Sequence, residues 1–310
     1  MTKKRIEYID CIKGFAILLV VMGHVIANWF EDFYTIFSHD TENQLMLWNL
    51  IYSFHMPLFM FCSGLFQPIM TKQNSVKDFI YVIYRRFKVL MIPYFCSGMI
   101  LWYVSGQPTF YWFLLVLFEF ILINLFISFA FCRFQSKSNL LEILMFLTVY
   151  IIIRIVSSKY QEYEKLPLLD IGHLGMYIYF TLGYLVTKYK LLEKIHNNYV
   201  YTISIILFVG LYVDNNICNL PLVNFGLGIV RTCAAIIVVF CIFKKAYPNK
   251  IMSRLNNLGR RSLEIYILHF FFLVKLPCIG ESIASLARVG GGGKYYFLNG
   301  RSYSSDYCCY

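Results

Sequence analysis

Lys13 and His24 bracket ten almost wholly apolar residues in the stretch IDCIKGFAILLVVMGHV. Imidazole changes charge near neutral pH, so a histidine at the far end of a hydrophobic run is a candidate proton acceptor. In a helix the two residues are separated by about 16 Å of rise and lie about 20° from three full turns apart. They share one face, Lys13 at an edge and His24 deeper. Taken singly, the lysine reads as a snorkelling anchor and the histidine as a packing residue; aligned on one face they read as functional.

Other polar groups fall at similar depths. His55, in SFHMPLFMFCSG, sits about 10 Å from the outer end of the next apolar run, opposite His24. Pro57 lacks an N–H and clashes with the Ser53 carbonyl, which opens that helix locally. Ser63-Gly64 reads as a close-packing pair and not as a nucleophile. Glu119, Arg154, Arg231 and the Asp170/His173 pair fall from mid-depth outward, where they would line a hydrophilic cavity or form ion pairs such as Glu119 with Arg154 or Arg231. Ser262, Tyr266 and His269 follow i, i+4, i+7 spacing on one helix face, just beyond Arg260 and Arg261.

These residues must be held by membrane helices. The chain has 310 residues, of which 59% are hydrophobic and only 15% charged, and its mean hydropathy is +0.60. That composition marks an integral membrane protein and excludes an ordinary soluble domain. Apolar runs near 12–29, 48–68, 89–105, 110–131, 140–156, 172–187, 199–213, 225–243 and 262–276 give nine spans in an all-α, polytopic bundle. The basic start MTKKR and first run are not followed by a small-residue cleavage site, so residues 12–29 read as a retained span. With the amino terminus cytoplasmic and the tail left out, nineteen Lys and Arg fall in the inside segments and two, Lys159 and Lys165, in the outside loops. The net charge of +11 is therefore a topology signal, and no nucleic-acid partner is expected. Six of the ten cysteines lie in or beside apolar runs without metal-ligand spacing, and no metal is expected. Residues 1–276 form the transmembrane domain; 277–310, with the run GGGGKYYFLNGRSYSSDYCCY, read as a disordered or truncated tail.

Five stretches in this order, YIDCIKGFAILLVVMGHV, FHMPLFMFCSGLF, RRFKVLMIPY, YWFLLVLF and LGRRSLEIYILH, resemble the membrane-bound acyltransferase 3 family, specifically its sugar O-acetyltransferase branch, over roughly residues 5 to 275. The family has about one span more than the nine here. The resemblance implies transfer of an acyl group, commonly acetyl from cytoplasmic acetyl-CoA, to a hydroxyl of a surface polysaccharide or lipid-linked glycan. It makes His24 the catalytic histidine and Lys13 its basic partner, with Asp10 in the same signature and His55 in the second-span motif. Lys13, Arg85, Arg86, Arg260 and Arg261 would form a cationic mouth for the phosphates of acyl-CoA. Glu119, Arg154, Arg231 and His269 would meet the acceptor. His24 would act as general base, or carry the acyl group as an acyl-histidine; the sequence leaves both open. The expected setting is the plasma or inner membrane of a bacterium, among membrane lipids. The alternatives are a flippase or transporter of lipid-linked sugars and a non-catalytic scaffold with histidines between helices.

Overall fold

The structure, a computed structural model, describes residues 7–37, 41–69, 75–105, 111–133, 139–159, 165–166, 169–195, 197–213 and 221–273, with the side chains of 26–49, 104–105, 133, 165–166, 169, 195, 213, 221–222 and 273 left aside. The tail read as 277–310 lies outside the described residues. Eleven helices follow in chain order: α1 (Glu7–Phe37), α2 (Thr41–Leu65), α3 (Val76–Ser105), α4 (Trp112–Arg133), α5 (Asn139–Lys159), α6 (Tyr177–Lys188), α7 (Leu192–Ile195), α8 (Asn198–Val213), α9 (Pro221–Ala246), α10 (Lys250–Arg260) and α11 (Ser262–Leu273). Every apolar run read from the sequence is met by a helix. Among the described residues, Glu7–Val25, Trp112–Cys132, Asn139–Lys159 and Val223–Ala246 are long and apolar enough to cross a bilayer by themselves. With shorter apolar helices over Leu50–Leu65, Asn198–Tyr212 and Ser262–Phe272, they make a multi-pass bundle.

Two features depart from the sequence reading. The run 172–187 is not one continuous α-helix: α6 has 12 residues, about 18 Å and short of the ~30 Å hydrocarbon core. A 3₁₀ turn, Leu174–Met176, precedes it. Before that comes a two-residue antiparallel ladder, Lys165 opposite Asp170 and Leu166 opposite Leu169, the one break from an all-α fold among the described residues. The second departure is α10, which the sequence reading left within a basic loop. Its 11 residues bury Asn256 and Gly259 and expose Lys250, Ile251 and Arg254. An amphipathic helix of that length is too short and too polar for a hydropathy reading to register.

Glycines draw two pairs of helices into backbone contact. A Cβ on Gly14 of α1 would lie 2.0 Å from the Leu255 carbonyl oxygen of α10, and one on Gly259 would lie 1.7 Å from the Asp10 carbonyl oxygen. Gly64 of α2 and Gly183 of α6 form the same reciprocal crossing against Phe180 and Phe61. Small residues are how membrane helices approach closely, since lipid supplies no hydrophobic force between them. Ser63, as expected of a packing pair, donates its hydroxyl to the Phe59 carbonyl at 2.9 Å.

The proline in α2 has its consequence resolved. Pro57 leaves the Ser53 carbonyl without a helical donor, and the Thr232 hydroxyl of α9 donates to it at 3.2 Å. At the far end of α6, Lys188 pairs with Glu142 of α5, whose other oxygen accepts from Tyr189 at 2.7 Å. Glu142 is 1% exposed. Lys188→Ala strands that carboxylate and is expected to cost about 3 kcal/mol of stability, read as a lower unfolding temperature in detergent, with Lys188→Arg restoring most of it. Elsewhere α3, α5 and α8 turn Met99, Trp102, Ile155, Ile206 and Val209 outward, the sides a bilayer covers.

Candidate active site

Three helices bring three histidines together. His24, half-buried on α1, has its ring centroid 5.3 Å from that of His269 on α11 and 5.2 Å from Phe270. His55 on α2 is an electrostatic neighbour of the same ring. Tyr52 stacks edge-on to His55 at 4.8 Å. It also packs over Gly23, where a Cβ would meet its ring at 2.9 Å. The glycine before His24 thus lets α2 approach at the depth where the imidazoles converge.

Two of the rings have their tautomers set by the backbone. His55 Nδ1 is 2.8 Å from the Ile51 carbonyl oxygen and His269 Nδ1 is 3.3 Å from that of Ile265. A carbonyl only accepts, so each ring donates Nδ1–H and, when neutral, keeps its Nε2 lone pair. His269 Nε2 is buried without a hydrogen-bond partner. His24 therefore faces at least one imidazole acceptor, which can hold the N–H of its ring and leave its other nitrogen for a substrate proton.

A cavity of about 160 Å³ lies at the Lys13 end of the bundle. It is walled by Lys13, Ser63, Phe66, Gln67, Arg86, Ser262 and Tyr266, among others. The start of α1, the end of α2 and the start of α11 meet there. Lys13 Nζ stands 5.0 Å above the Phe66 ring and Arg86 donates to the Phe66 carbonyl at 3.2 Å. Gln67 donates to the Ile121 carbonyl at 3.4 Å while its Oε1 stays buried without a partner. From Ser262 to His269 the rise is about 10 Å, from Ser63 back to His55 about 12 Å, and from Lys13 to His24 about 16 Å. The basic cavity and the histidines are thus two stations along one line of the bundle.

A family model described as an acyltransferase domain, that of acyltransferase 3, matches residues 6–276. The chain belongs to the acyltransferase 3 family. No curated protein and no solved structure gives a significant match to it. The matched region takes in both stations, so this acyltransferase carries the histidine cluster and the basic cavity inside its family domain.

The remaining site candidates of the acyltransferase disperse. Asp10 is buried where α1 crosses α10, its carbonyl against Gly259. Of the five cations proposed for the mouth, Lys13 and Arg86 line the cavity and Arg85, Arg260 and Arg261 do not. Arg85 is exposed over the Tyr81 ring, and exposed Arg260 donates to Asn256 at 3.0 Å. Glu119 joins a separate cluster. Its Oε1 accepts the Asp170 amide at 3.1 Å, Asp170 holds His173 at 2.9 Å, and His173 stacks on Trp112 at 3.8 Å. Arg154 lies over Phe225 and beside Gly175, and Arg231 sits on α9 away from the cavity lining. Of the four acceptor candidates, His269 alone is brought against His24. Gln67 and Tyr266 stand on the cavity wall without having been singled out as site residues. The i, i+4, i+7 stripe was the sequence signal for Tyr266; Gln67 had none.

Proposed function

We propose that this membrane acyltransferase moves an acyl group, most simply acetyl, from cytoplasmic acyl-CoA to a hydroxyl of a surface or lipid-linked glycan. The observation that supports this reading best is the pairing of a cationic cavity with a histidine cluster about 10–16 Å deeper along one line. Acyl-CoA has that shape as a substrate: phosphates at one end and a thioester at the end of a long arm. Lys13 and Arg86 suit the phosphates by charge-assisted hydrogen bonding. The cavity has room for a diphosphate-sized group, about five waters by volume. The clustering of basic residues in one set of loops supports a cytoplasmic Lys13 end.

His24 takes the proton of the acceptor hydroxyl as it attacks the thioester carbonyl. His269, with its ring 5.3 Å from that of His24 and its Nε2 without a partner, can accept the other N–H of the imidazolium that results. The lipid-facing sides of α3, α5 and α8 keep the reaction within the bilayer.

The test is mass spectrometry of surface glycan from cells lacking other glycan acyltransferases, with and without the intact chain and fed isotopically labelled acetate. Labelled O-acetyl esters that depend on the chain are the expected result. A protein abundant in the membrane that adds no ester to any glycan, and releases no CoA from acetyl-CoA with acceptor present, would overturn the reading.

A further inference from the structure

A buried hydroxyl stands between the two stations without anything to bond. Tyr266 is 3% exposed and its hydroxyl has no hydrogen-bond partner. It lies on the cavity wall with Lys13 and Arg86. On α11 it is one turn from Ser262, which lines the same cavity, and three residues from His269, whose ring centroid is 5.5 Å from its own. Its other neighbours are the rings of Phe113 at 5.1 Å, Tyr111 at 5.9 Å and Phe270 at 6.1 Å. The Tyr111 hydroxyl gives its hydrogen to the Ile267 carbonyl at 2.9 Å, and no hydrogen bond joins it to the Tyr266 hydroxyl.

The Tyr266 hydroxyl is a donor without an acceptor, set among the rings of Phe113, Tyr111 and Phe270. Leaving a buried hydroxyl unpaired costs stability, and replacing it by an apolar group of the same shape would be neutral or favourable. Packing alone would favour phenylalanine at this position.

We propose that the Tyr266 hydroxyl donates a hydrogen bond to the acyl carbonyl of the donor thioester and stabilises the oxyanion that forms there. The proposal rests on the acyl-transfer reading above and assigns a further catalytic residue to it. In the step, the acceptor O–H gives its proton to His24 and its oxygen bonds to the thioester carbon. The C=O electron pair moves onto oxygen and is held by Tyr266. On collapse the C–S bond breaks, the ester carbonyl reforms and the CoA thiolate takes the proton held by His24, leaving a glycan ester, free CoA and a neutral His24. The height is right: Tyr266 lies about 6 Å along α11 from the cavity residue Ser262 and about 4.5 Å from the level of His269.

Tyr266→Phe tests this, with the full-length protein in proteoliposomes, acetyl-CoA as donor and glycan from the source cell envelope as acceptor. A lost oxyanion donor is expected to lower kcat about 10²- to 10³-fold, with KM for acetyl-CoA within about threefold and an unfolding temperature unchanged or raised. Tyr266→Leu, which also loses the ring, separates packing from chemistry: it is expected to lower both kcat and the unfolding temperature. A Tyr266→Phe protein with kcat within about threefold of the intact chain overturns the inference while the acyl-transfer reading stands. So does a fall in its unfolding temperature that accounts for the lost rate. No transfer by the intact chain overturns the reading, and the inference with it.

Discussion

Replacing His24 by glutamine is expected to lower kcat/KM for acyl transfer by about 10²- to 10⁴-fold, the range for loss of a positioned general base. Glutamine keeps comparable bulk and both a donor and an acceptor, so it can offer an N–H to the unpartnered His269 Nε2, but it cannot take a proton. If His24 only fastens α1 to α11, with rings 5.3 Å apart, glutamine should preserve most of the activity. The loss should fall on kcat, because the proposed phosphate contacts at Lys13 and Arg86 lie about 16 Å away. Initial rates of CoA release and glycan ester formation, with membrane abundance matched, check this. A variant that keeps a third or more of the intact rate removes His24 from the chemistry.

The contrast between His24 and His269 shows what was legible in the sequence. Helical periodicity aligns Lys13 with His24 and Ser262 with Tyr266 and His269, because each set shares one helix. It does not say which helices are neighbours. His269 was therefore grouped with Glu119, Arg154 and Arg231 by depth alone, and the packing of α11 on α1 separates it from them. The same limit governs the cations. Arg85 and Arg86 are about 100° apart on α3, so the pair cannot share a face, and only the bundle decides that Arg86 lines the cavity. The nine apolar runs were legible because lipid demands continuous apolar helices. Helix α10 and the ladder before α6 were not, since neither is a long apolar segment.

The closeness of α10 to α1 carries the second large effect. Gly259→Val is expected to prevent the bundle from assembling at its Lys13 end. A Cβ there would sit 1.7 Å from the Asp10 carbonyl oxygen and 2.9 Å from the Gly14 amide nitrogen. Both are backbone atoms of a helix, which cannot rotate aside as a side chain does. Overpacking in a core costs about 1–3 kcal/mol where side chains can yield, and here the helices themselves must separate. The displacement would act on the turn of α1 that carries Asp10 and Lys13, so any surviving protein should lose donor affinity as well as yield. Gly210→Val and Gly228→Val are the controls, because a Cβ at either meets nothing within 4 Å and valine costs a helix no more than glycine. The measurement is the fraction extracted as a monodisperse species in mild detergent, with its unfolding temperature. Equal behaviour of all three variants would mean that α10 does not rest on α1. A collapse confined to Gly259→Val would show that a helix invisible to hydropathy holds the basic end of the site in place.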